Sequence, residues 1–287
     1  MTPYVILTDS SADLPAEEIA KLNIEVLPLS FLLEGKTYEN HPDERDIRFA
    51  DFYAKLRQGA SVQTSAVNVG AFLSVMQAHL EQGQDVLYLG FSSALSGTYS
   101  AGAMAAEELR ARYPDRKILT VDTLAASLGQ GLLVTLTARR RDAGATIEEA
   151  AAYAEETKLH ICHWFTVGDL FFLKRGGRIS AATALIGSAL GIKPILHMDD
   201  AGRLISVGKT RGRKRAIAAL AEKYTETGTS DELAYIVHGD CPEDAQTLEA
   251  LLRDAGVKNV MTHYVGPVIG AHSGPDTLSV FFIGTHR

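Results

Sequence analysis

Hydroxyl side chains gathered where apolar runs meet helical patterns are the residues of this sequence with the most chemical promise. In Phe91-Ser92-Ser93-Ala94-Leu95-Ser96-Gly97-Thr98-Tyr99 they follow a hydrophobic run and open a helical pattern that reaches about Arg112. Backbone N–H groups at such a corner lack intrahelical partners and face the positive end of the helix dipole, so the turn suits a carboxylate or a phosphate; plain N-capping explains the same residues. The stretch Ser61-Val62-Gln63-Thr64-Ser65-Ala66-Val67-Asn68 repeats the theme, with Thr64 and Ser65 placed to cap a following helix or to donate to a ligand. In Tyr264–Thr277 an imidazole, His272, falls in what reads as a glycine-rich turn between apolar strands. A histidine there is either structural or an anion donor whose pKa rises beside a carboxylate. Two basic segments, Leu173–Ser180 with Arg178 and Gly208–Arg215 with Arg211, are positive islands that could receive phosphate or an acidic partner, or simply face solvent.

Several function classes are disfavoured. There is no Walker-type Gly-x-x-x-x-Gly-Lys-Ser/Thr, Gly-x-Ser-x-Gly, His-Glu-x-x-His or Gly-x-Gly-x-x-Gly pattern, which argues against the common self-contained catalysts. Lys plus Arg total 28 against 35 acidic residues, a net charge of −7, so nothing drives the counterion release on which nucleic-acid binding depends. The first residues, Met1-Thr2-Pro3-Tyr4-Val5-Ile6-Leu7, carry no basic leader and no membrane-length apolar run, and a cytoplasmic protein without stable membrane insertion is expected. The apolar stretch Ala181–Leu196 is too broken by Gly187, Gly191, Lys193 and Pro194 to span a bilayer and is expected to line a core or pocket. Cys162 and Cys241 are far apart and outside metal-ligand spacing, so buried free thiols are expected and no metal or cofactor is implied.

The elements that must position these residues follow from period and length. Strand-like runs at Tyr4–Thr8, Glu25–Leu29, Val86–Phe91 and Ile118–Asp122 alternate with amphipathic stretches, which predicts a largely parallel α/β sheet whose ligands collect at the strands' carboxyl ends. Asp9–Pro15, with Glu17 and Glu18 behind it, reads as a helix start. Beyond Leu159 the runs Ile161–Val167, Leu204–Val207, Glu232–Val237, Asn259–Val265 and Leu278–Ile283 have fewer helices between them, which predicts an α+β half. A chain of 287 residues is long enough for two domains, and we place them at 1–160 and 161–287.

Taken in order, Thr8-Asp9-Ser10-Ser11-Ala12-Asp13-Leu14-Pro15, Ser92-Ser93-Ala94-Leu95-Ser96-Gly97-Thr98-Tyr99, Gly176-Gly177-Arg178-Ile179 and Gly266-Pro267-Val268-Ile269-Gly270-Ala271-His272 resemble the DegV family. Further blocks, Val26–Ser30, Ala126–Gly131 with Asp122, Ile192–Leu196 and Lys209–Ala216, extend the resemblance over essentially the whole chain. It implies two α/β domains with a long-chain fatty acid in a tunnel between them, the acyl-binding subunit of a bacterial fatty-acid kinase whose catalytic subunit makes the acyl phosphate. By the same resemblance Thr64, Ser96 and His272 would hold the carboxylate, while Arg178 and Arg211 would lie at the surface near the kinase or the acyl phosphate. The chain departs from the family pattern at Ala66-Val67, where Gln-Pro is common, and at Asp276, where glycine is usual; the latter would set a carboxylate near His272. The alternatives are a stand-alone enzyme on a small phosphorylated or acyl substrate, with His272 as general base and the Ser96 turn as phosphate cradle, and a regulatory protein whose lipid is only structural.

Overall fold

Strand β1 (Tyr4–Asp9) and strand β6 (Asp85–Gly90) are buried along their whole length, as parallel strands covered on both faces are. The computed structural model, which describes residues 3–179 and 191–287, places them at the centre of a four-stranded sheet. With β2 (Ile24–Leu27) and β7 (Ile118–Asp122) the order is β2-β1-β6-β7, parallel throughout. Pro28, which has no N–H to give a ladder, ends β2 before the expected Leu29. Strands β3 (Ser30–Leu33), β4 (Lys36–Glu39) and β5 (Val62–Ser65) form a small antiparallel sheet, order β4-β3-β5, that the sequence reading did not anticipate. Each has only four residues, too few for alternation to stand out.

From residue 161 onward the strands form one mixed sheet. Its order is β10 (Leu204–Arg211), β9 (Ile192–Met198), β8 (Ile161–Thr166), β13 (Leu278–Ile283), β11 (Leu233–His238) and β12 (Asn259–Tyr264). Only β11 and β12 pair in parallel, through helix α9 (Pro242–Asp254); the other pairs are antiparallel. Strand β10 runs on past the expected Val207, because a register shift between Ser206 and Gly208 lets the basic end keep pairing with β9. Of the apolar stretch expected at Ala181–Leu196, residues 181–190 lie outside those described and Ile192–Leu196 belong to β9.

The two sheets share a core. Helix α5 (Leu128–Asp142), buried from Leu128 to Val134 without a polar face, packs against β1 and β6 on one side and β8, β11 and β13 on the other. Gln130 Nε2 donates to Thr8 Oγ1 at 3.0 Å and Tyr235 OH to Thr135 Oγ1 at 3.2 Å, one bond toward each sheet. A single cluster accordingly runs from Ile6, Leu87 and Tyr88 through Leu132 to Tyr235, Val237 and Phe281. Helices α8 (Arg213–Thr227) and α9 cover the outer face, where Ile217, Leu220, Leu248 and Leu252 meet Ile236, Val280 and Phe282. Cys162 and Cys241 are both free and buried, and no described helix is long and apolar enough to cross a membrane.

Candidate functional site

The turns at the carboxyl ends of β2, β6 and β7 do not close on their own sheet but face the inner side of the mixed sheet, leaving a cavity of about 980 Å³, its open mouth included. Side chains alternate along a strand, so the cross-strand pairs Val237–Ser279 and Ser279–Phe165 form one row of the cavity floor and Phe281–His163 the next. Leu29, Phe91, Leu95 and Ala126 close over them from the N-terminal turns, Val265 from the link after β12, and Val268 and Ile269 from helix α10 (Pro267–Ser273). The interior is therefore chiefly hydrocarbon, and the polar groups lie at particular points.

At one such point Thr64, Ser96, Arg178 and His272, all half-buried, border the same cavity. Thr64 Oγ1 and His272 Nε2 are 2.9 Å apart, although 208 residues separate them. Thr64 is not a helix cap: it lies on β5, and Asn68 caps helix α3 (Val69–Glu81) by accepting from Ala71 N at 2.9 Å. His272 is likewise not in a loop, because Gly266 is extended, Pro267 occupies the first helical turn and the short helix α10 carries the imidazole inward. Ser96 stands both at a helix start and on the cavity wall. Its Oγ accepts from Thr98 N at 3.2 Å at the start of helix α4 (Thr98–Arg112) and lies 2.9 Å from Thr98 Oγ1, while the side chain remains on the cavity wall.

The two arginines separate. Arg178 lines the cavity, where Nε donates to Leu95 O at 3.2 Å and Nη1 to Gly176 O, so the Gly-Gly-Arg turn is tied to the Ser96 turn. Burial lowers its pKa, which marks a guanidinium partly withdrawn from water rather than one on the outer surface. Arg211 is exposed at the end of β10, opposite Ile192, and is not part of the cavity wall. Asp276 is not turned to His272 either. It receives Arg57 Nη2 at 2.8 Å, and Arg57 also reaches Asp240 at 3.1 Å, joining helix α2 (Phe49–Arg57) to two loops of the mixed sheet.

The charges that act on His272 are therefore positive. Burial first, then Arg178 and Arg175, push its pKa down to about 4, so near neutral pH it is an uncharged imidazole in a positive surround. Its Nδ1 side is packed against Gly176, where a Cβ would come to 2.3 Å. That contact gives the first glycine of the Gly-Gly-Arg block a steric reason. Ala66 and Val67 leave Thr64 in place: Ala66 borders the cavity and Val67 is buried behind it.

Sequence reasoning took Asp13 for part of a helix start and did not single out Ser127. Asp9 does cap the short turn Ser10–Ala12, accepting from Ser11 N at 3.1 Å, and helix α1 (Ala16–Lys21) begins after Pro15. Asp13 instead points inward, accepting from Ser127 Oγ at 2.5 Å and Gly266 N at 3.1 Å, and burial raises its pKa to about 8. Ser127 borders the cavity and has φ +55° and ψ −149°, a region little used outside glycine. The only hint in the sequence was two acidic residues, Asp9 and Asp13, one helical turn apart beside a buried strand.

Residues 3–285 match a family model described as "Uncharacterised protein, DegV family". The chain belongs to the DegV family. A DegV domain-containing protein of Clostridium perfringens is 44% identical over 287 residues, covering 99% of this chain and 98% of its own. Among solved structures, a DegV family protein from Thermus thermophilus described by its fatty acid binding superposes with TM-score 0.88 at 30% identity, covering 99% of this chain and all (100%) of its own. A Thermotoga maritima protein described as revealing a fatty acid binding function gives TM-score 0.85 at 31% identity, with 99% and 100% covered. The parallel sheet joined to a mixed sheet is thus the DegV architecture, and fatty-acid binding is on record for DegV relatives.

Proposed function

We propose that this protein binds one long-chain fatty acid in the cavity between the 1–160 and 161–287 domains and presents its carboxylate to the catalytic subunit of a fatty-acid kinase in the cytoplasm. The observation that carries the reading is the division of the cavity: an interior lined chiefly by apolar side chains, and a set of half-buried donors, Thr64, Ser96, Arg178 and His272, on its wall. A carboxylate accepts about four hydrogen bonds, and hydroxyls, an imidazole and a guanidinium supply donors of the right kind. Each buried methylene contributes on the order of 0.8 kcal/mol, so the tail gives affinity and the head gives orientation. Arg211, exposed and outside the cavity lining, is proposed as a contact for the kinase surface.

The likeness to DegV relatives that bind fatty acids supports the ligand; the kinase role rests on the resemblance of the motifs. A stand-alone hydrolytic enzyme fits less well. Although Thr64 and His272 form a hydroxyl–imidazole pair, no described carboxylate bonds to His272 to orient it as a base. Organic-solvent extraction of natively purified protein followed by mass spectrometry tests the reading. Stoichiometric fatty acid is expected. A protein that yields none and also fails to take up added fatty acid would overturn it.

A further inference from the structure

We propose that the cavity is built for an acyl chain carrying a hydroxyl close to its carboxyl end, a 3-hydroxy acid being the type, and that Ser273 and Thr277 recognise that hydroxyl. This rests on the fatty-acid reading above and adds a substrate class to it. Ser273 is 5% exposed and borders the cavity, and its Oγ has no hydrogen-bond partner among the described residues. Buried hydroxyls are nearly always paired, and one left facing hydrocarbon loses its hydration for nothing in return. Four residues on, Thr277 also borders the cavity, and the proton of its Oγ1 is committed: it bonds to Ser273 O at 3.0 Å and Gly274 O at 2.8 Å. Toward the cavity, then, Ser273 offers a donor and Thr277 only lone pairs.

The chemistry of that pair selects its ligand. A methylene satisfies neither atom. A carboxylate can accept from Ser273 but has no proton for Thr277. A hydroxyl both accepts and donates, and answers both. The position along the chain follows from sequence neighbourhood, since Ser273 is bonded directly to His272, whose imidazole lies at the head cluster with Thr64. Successive Cα atoms are about 3.8 Å apart, which sets Ser273 alongside the first few carbons of a chain whose carboxylate is held at His272. Ser279, on the floor between Val237 and Phe165, is a second cavity hydroxyl and supplies a control.

The test compares hexadecanoate with 3-hydroxyhexadecanoate on delipidated protein, by calorimetry or by displacement of a fluorescent fatty acid. Leaving a buried polar partner unpaired costs enough to change the ratio of the two affinities by about tenfold. Ser273→Ala is expected to shift the ratio by about that factor against the hydroxy acid, with hexadecanoate affinity unchanged or improved and the thermal midpoint not lowered; Ser279→Ala is expected to leave the ratio alone. An unchanged ratio in Ser273→Ala would overturn the assignment. Equal losses for both acids would also overturn it, making Ser273 a carboxylate contact. If neither acid binds the wild-type protein, the fatty-acid reading fails, and this assignment with it.

Discussion

The His272 imidazole, held down to about 4 by burial, Arg178 and Arg175, gives the head cluster a pH signature. A carboxylate set at its Nε2 pulls its pKa upward, so the bound state holds the proton more tightly than the free protein. Affinity should be flat at high pH and should increase as pH falls from the bound-state value toward about 4, the free value. Dissociation constants measured between about pH 5 and 8 should show this rise in the wild type and lose it in His272→Gln. Ser96→Ala should keep the fold while impairing acyl-phosphate formation with the kinase, and unchanged turnover would remove Ser96 from the head group. At this scale the sequence was readable for residue type but not for direction. Ser96, Thr64 and His272 were chosen as donors, yet whether Thr64 capped a helix or lay on a strand depended on β3, a partner it meets only after folding. Arg178 was expected at the surface facing the kinase or near the acyl phosphate, and its bonds to the Leu95 and Gly176 carbonyls could not be read from its charge.

Elements meet the site through contacts that small changes would break. A Cβ on Gly176 would lie 2.3 Å from His272 Nδ1 and 3.2 Å from Cγ, so Gly176→Ala must displace the imidazole. Ligand affinity should fall well before stability does, a contrast read by setting binding constants beside thermal midpoints. Asp13 ties the loop after β1 to the starts of α5 and α10 through Ser127 and Gly266. Its pKa is about 8 in the fold against 3.8 for the free group, so across that interval the unfolded chain has released a proton that the native protein keeps. Asp13 therefore lowers stability as pH rises from about 4 to about 8 and adds no further slope above that. Asp13→Asn, which keeps an acceptor for Gly266 N and reverses the bond to Ser127 so that the amide donates to its Oγ, should flatten that part of the stability–pH curve, measured by chemical denaturation. The long, regular elements were legible from the sequence: β7 and β13 have the expected limits, β1 and β6 lie within a residue of theirs, and α4 ends at Arg112 as its pattern indicated. The short ones were not, since four-residue β3, β4 and β5 and seven-residue α10 owe their form to tertiary partners rather than to period.

Across the whole molecule the shared core makes the two sheets thermodynamically one body. Hydrophobic contacts run without a break from Ile6 through Leu132 to Phe281, and Arg57 adds a surface tie to Asp240 and Asp276. Delipidated protein should unfold in one cooperative transition by calorimetry, with a midpoint that rises with added fatty acid as mass action requires. Two separate transitions would show that the core is less continuous than its contacts imply. Arg57→Ala should cost little, because an exposed ion pair contributes about 0–1 kcal/mol.

The span of 208 residues between Thr64 and His272 sets when, during synthesis, the protein can first do its work. Ribosomes release the amino-terminal half first, and that half carries Thr64 and Ser96 but neither the cavity floor from β8, β11 and β13 nor the imidazole of α10. A nascent chain has hydroxyls to offer and nowhere dry to put a tail. On the proposed function, acyl binding begins only with the last segments of the polypeptide, so a truncated product from a stalled or nicked message would not withdraw fatty acid from the pool that intact copies serve.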